Sequence, residues 1–152
     1  MQHKKENHYR HLGIMAALSF VAMYILMYAM VDTFADVYNN VNQVYMAGLM
    51  AAPMVVIELV VMRGMYHNGR LNLILIGASV AVGVLMFALI RQQTMVTDGQ
   101  FLRSMIPHHS GAILMCGEAP LQDAEIRRLC EGIIVSQQQE IDQMNAILRR
   151  LQ

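Results

Sequence analysis

With 152 residues, 56% of them hydrophobic and only 14% charged, the chain is too apolar for an ordinary soluble domain of its size. Its formal net charge is zero and no basic face stands out, which argues against nucleic acid as a partner. The charge is also uneven: 13 of the 22 charged residues fall after position 90.

Residues 1–12 carry Lys4, Lys5 and Arg10 ahead of a first apolar run, 13–31, that contains no charge. The run exceeds the ~7–15 residues of a signal-peptide core, and no clean small-x-small cleavage site follows, so a retained anchor is expected. Runs 44–62 and 71–90 follow, each near the ~20 residues that cross a bilayer as a helix. Positions 13–90 therefore read as a three-span membrane domain in contact with lipid. Two arginines lie in the second loop, 63–70, whereas the first loop, 32–43, has Asp32 and Asp36 and no Lys or Arg. The bias of basic residues places the N-terminus in the cytoplasm and everything after Ile90 outside. For a bacterial inner membrane that side is the periplasm or the extracellular face.

Methionine is unusually frequent, at 15 residues, and its placement matters more than its total. Met46, Met50, Met54, Glu58 and Met62 recur every four residues along one stripe of the second span. Met23, Met27 and Met30 form a shorter stripe in the first. Two readings are open: flexible apolar filler, or a thioether ladder that passes a soft ion. Glu58 bears on the second, since an ionisable group within a span ordinarily faces a partner, a bundle interior or water. Pro53 removes one backbone bond and predicts a kink. In the third span, Gly77 with Ala81 and Ser79 with Gly83 are small-residue pairs that permit close helix contact.

Residues 91–152 read as a soluble hairpin of two antiparallel helices. Thr97 and Asp98 are N-cap candidates, and Leu102, Met105, Ile106, His109, Ile113 and Cys116 share one face. His108 lies at the edge of that face with Phe101, Met105, Ala112 and Met115. A break is expected from Gly117 to Pro120. A second helix begins near 121–123, with Asp123 and Glu125 suited to its N-terminal dipole. Its apolar face runs Ile126, Cys130, Ile133, Ile134, Gln137, Ile141, Met144, Leu148, and the 137–140 run is read as a solvated face with one polar contact inward. Two such helices leave apolar surface uncovered, which a second copy would close as a four-helix bundle, most simply in a dimer.

Met105, His108 and His109 lie within about one helical turn. A hairpin folded about position 120 sets residue i level with 240 − i, so that Cys130 falls beside Ser110. A Met/His/His/Cys set at one level suits Cu(I), and Zn(II) less well. Met115 and Cys116 lie further along the same helix as further candidates. The same folding separates Cys116 from Cys130 by about six residues, against an intrachain disulfide. The competing reading makes the histidines hydrogen-bonded core residues and the cysteines small buried ones.

The run Phe101-Leu102-Arg103-Ser104-Met105-Ile106-Pro107-His108-His109-Ser110-Gly111-Ala112-Ile113, with Ile133-Ile134, Gln137-Gln138-Gln139-Glu140-Ile141 and Met144, resembles the bacterial family called domain of unknown function 305. The resemblance covers roughly 98–148 and leaves the three spans outside. It implies a ferritin-like helical fold and periplasmic copper binding linked to copper resistance, with Met105, His108, His109 and Met144 as candidate ligands. The hairpin folding sets Met144 level with position 96, so it reaches the histidines only through non-ideal helices or a second subunit.

The expected protein is thus all-α and membrane-anchored, holding copper for sequestration, delivery or resistance. A pore of several copies that conducts a soft ion, lined by Met46, Met50, Met54 and Glu58, is the first alternative; a purely structural dimerising protein is the second. An enzyme is not expected: the chain has no Ser/His/Asp set, no Gly-rich phosphate loop and no E-x-x-H pair.

Overall fold

The computed structural model describes residues 2–151, with side chains from position 8 onward; the side chains of Lys4 and Lys5 lie outside the described residues. Those residues form five α-helices and no strand: α1 Gln2–Leu26, α2 Val41–Val61, α3 Gly69–Gln92, α4 Asp98–Glu118 and α5 Ala124–Arg150. Short 3-10 turns, Met27–Met30 and Phe34–Asp36, follow α1. Three stretches are long and apolar enough to cross a membrane, His8–Met30, Val41–Val61 and Gly69–Gln92, which matches the three runs read from composition.

The chain divides into two compact units. One is Met1–Leu26 with Asn42–Thr94; the other is Met27–Val41 with Met95–Gln152. In the first, the small residues of α2 form its packed face: Ala47, Gly48, Ala51 and Ala52 are buried, as are Tyr45 and Leu59. A Cβ added at Gly48 would lie 3.1 Å from Met86 Cγ, and one at Gly83 would lie 3.6 Å from Ala52 Cβ, so α2 and α3 meet through small side chains. Asn68 starts α3 by accepting from the Leu71 amide at 3.0 Å. The loop before it is pinned by Tyr66, buried at 4% exposure, whose hydroxyl donates to Glu58 Oε1 at 3.2 Å. Burial, with the Glu58 carboxylate beside it, raises the Tyr66 phenol above its ordinary range, so it remains a donor. Tyr9 adds a ring contact with Tyr66 and a 2.8 Å hydrogen bond to Asn72 Oδ1.

In the second unit, caps define the hairpin. The Thr97 side chain accepts from the Gln100 amide, and Asp123 Oδ1 accepts from the amides of Glu125 and Ile126 at 2.8 and 3.0 Å. Leu102 and Ile106 of α4 pack against Ile141, Met144 and Leu148 of α5, with Tyr38, Met105, Ile113 and Ile147 around them. Tyr38 belongs to the first loop. That loop lies along the hairpin: the Asp32 amide donates to Ser110 Oγ at 2.9 Å, the Val41 amide to Gln100 Oε1 at 2.9 Å, and Tyr38 Oη to Asn145 Oδ1 at 2.9 Å. Gly111 is bare where the loop comes closest, since a Cβ there would lie 3.1 Å from the Met30 carbonyl oxygen. Part of the cover expected from a second copy is therefore supplied by the chain itself.

Candidate functional site

The sequence-predicted ligands lie on α4 and α5, and the register of these two helices decides which of them meet. Symmetric folding about position 120 is not what the chain adopts. Cys116 and Cys130 are joined in a disulfide with Cα atoms 5.1 Å apart, which overturns the expected separation of the two cysteines. The midpoint of 116 and 130 is 123, and that of the facing pair His109 and Glu140 lies between 124 and 125. Residues 119–123 explain the displacement. Both flanking caps, Ala119 and Asp123, have extended backbones. Extended residues advance ~3.3 Å each, against ~1.5 Å in a helix, so the connection staggers α5 along α4.

That stagger redistributes the candidates. Met144, expected level with position 96, instead packs with Leu102 and Ile106, and Met105 lies against the same cluster. His109 follows Met105 by one turn, its Nδ1 2.9 Å from the Met105 carbonyl oxygen. Its Nε2 lies 2.6 Å from Glu140 Oε2, with the histidine side chain 12% and the glutamate 53% exposed. Both ring nitrogens of His109 are thus engaged, one by backbone and one by a carboxyl group.

The other candidates are elsewhere. His108 is exposed and Met115 is 53% exposed, both on the outer surface of α4. Cys116 lies seven positions beyond His109, about 10 Å along the helix at ~1.5 Å per residue. Bound in a disulfide, neither cysteine offers a thiolate, so the proposed Met/His/His/Cys level does not form. Among the described residues, no three His, Cys, Asp or Glu side chains converge in a metal-ligating group. Glu140 belongs to the 137–140 run, whose spacing predicts a solvated face with one polar contact inward but does not say that His109, 31 residues away, is a partner.

In the first unit, Met46 and Met50 are each 39% exposed, while Met54 and Glu58 are half-buried. The stripe lies beside the packed face of α2 and not within it.

The family described as "Domain of unknown function (DUF305)" matches residues 80–148, so the likeness begins inside α3 rather than at residue 98. The "Uncharacterized protein L153" of Acanthamoeba polyphaga mimivirus is 37% identical over 144 residues, covering 91% of this chain and 93% of that protein. That similarity takes in the three spans as well as the hairpin. No solved structure matches the chain at a significant level. With the hairpin motif matched and a relative aligned almost end to end, the chain belongs to the DUF305 family.

Proposed function

We propose that this is a membrane-anchored protein that holds a soft metal ion, copper as Cu(I), on the α4–α5 hairpin for sequestration or delivery. The observation that supports it is the helix register. It brings Met144 into the cluster that Met105 packs against, with His109 one turn further along α4. Two thioethers and an imidazole are donors that prefer Cu(I) over hard cations. His109 Nε2 would have to give up Glu140 to bind an ion, so Glu140 is a positioning partner in the resting protein. His108, on the outer surface, is no part of this set.

The hairpin is assigned to the non-cytoplasmic side, the periplasm in a bacterial cell. Three observations support that side. Basic residues favour the N-terminus and the second loop as cytoplasmic. The Cys116–Cys130 disulfide suits an oxidising compartment. Finally, the first loop packs on the hairpin, and two apolar helices lie between them in the chain; crossing by both keeps loop and hairpin on one side. After reduction of intact cells, a membrane-impermeant maleimide is expected to label Cys116 and Cys130. Labelling only after lysis would reverse the orientation.

The binding test loads detergent-purified protein with Cu(I) anaerobically and measures bound copper. Met105→Leu, His109→Ala and Met144→Leu are each expected to weaken binding at least tenfold, and His108→Ala to leave it unchanged. Loss of copper with His108→Ala alone, or its retention in a Met105→Leu/His109→Ala protein, would defeat the assignment.

A further inference from the structure

The tip of the hairpin carries chemistry that the metal site does not use. Cys116 lies in the last turn of α4 and Cys130 in the second turn of α5, and both are only half-buried. A cavity of about 240 Å³ opens against their disulfide, with Gly117, Arg127 and Glu131 among the residues that line it. An attacking thiolate needs access to a disulfide sulfur, and this cavity supplies it.

The two sulfurs are not equivalent. In exchange, one sulfur is attacked and the other leaves as a thiolate, and the better-stabilised thiolate leaves faster. Cys116 sits two residues before Glu118, at the carbonyl end of α4, where helix polarity disfavours negative charge. Cys130 is free of that effect and has Arg127 one turn before it at the same cavity. Glu131 lines the cavity too and opposes the arginine. The difference between the sulfurs therefore rests first on the end of α4 and second on Arg127.

We propose that Cys116–Cys130 is a thiol–disulfide exchange site, at which a low-molecular-weight thiolate attacks Cys116 Sγ and expels the Cys130 thiolate. The bond from the incoming sulfur to Cys116 forms as the Cys116–Cys130 bond breaks, and Cys130 takes a proton from solvent. A second small thiol then attacks the mixed disulfide, releases Cys116 as a thiolate that takes a proton, and leaves in the oxidised small disulfide, the two small thiols having given two electrons to the protein. The fully buried part of the hairpin core lies ten positions away on α4, at Ile106, with half-buried Ile113 between, so exchange opens the tip before it reaches that packing. This inference stands independently of copper.

The test treats full-length protein in detergent with pulses of reduced glutathione, quenches with excess N-ethylmaleimide, and maps both cysteines by peptide mass spectrometry. A glutathione adduct on Cys116 paired with an alkylated Cys130 is the expected early product. Arg127→Ala should slow its appearance about two- to five-fold, the size of one favourable charge near a helix end. Glu131→Gln should act in the opposite sense. An adduct mainly on Cys130 would overturn the direction of attack, and an unchanged rate in Arg127→Ala would remove the arginine's part. No opening at glutathione concentrations that reduce an unshielded peptide disulfide would overturn the site.

Discussion

Replacing Ile106 with alanine is expected to destabilise the hairpin by about 2–5 kcal/mol, the usual cost of emptying a fully buried aliphatic position. Ile106 is 0% exposed, enclosed by Leu102, Ile141, Met144 and Leu148. The neighbours can collapse into the space only partly. α5 is held by the disulfide beyond one end of the cluster, and the first loop is hydrogen-bonded to Ser110 and Asn145. Native-state hydrogen exchange of the full-length protein in detergent reads the effect directly. Protection of the α4 and α5 amides should fall about tenfold for every ~1.4 kcal/mol, and unchanged protection would contradict the packing described. Met105→Leu conserves volume at a half-buried site and should cost under ~1.5 kcal/mol. Copper lost in that variant is then not explained by unfolding.

The double replacement Cys116→Ser/Cys130→Ser is expected to cost about 3 kcal/mol, because the bridge closes a short loop, 14 positions from end to end, and restricts the unfolded chain. The same exchange measurement distinguishes this from the core variant. Here the loss should centre on the end of α4, the 119–123 connection and the start of α5. A loss below ~1 kcal/mol would mean that the Asp123 cap and the connection hold the tip in place unaided.

These two positions also mark where reading the sequence succeeds and fails. Ile106 and Ile141 were legible as core because each recurs at three- and four-residue spacing on its own helix, a property of one element alone. The Cys116–Cys130 bridge was not legible. Its existence depends on how far α5 slides along α4, and the five-residue connection, extended at Ala119 and Asp123, shifts that register from the symmetric one. The shift that joins the cysteines also brings Met144 into the cluster that Met105 packs against, so one structural fact relocates several of the sequence candidates at once. The His109–Glu140 pair depends on the same register, which is why the sequence suggests an inward polar contact from the 137–140 run without identifying its partner.

What the sequence determined by itself is local. Three apolar stretches follow from length and composition, and the starts of α4 and α5 follow from Thr97 and Asp123, whose side chains satisfy amides two or three residues on. What only the tertiary structure decided is relational: the stagger of the hairpin, and the use of the first loop as its cover. Tyr38 and Asn145 are 107 positions apart, and Asp32 and Ser110 are 78 apart. Contacts of that range leave no period in the sequence, because they arise from where whole elements come to rest and not from the pattern within any one of them.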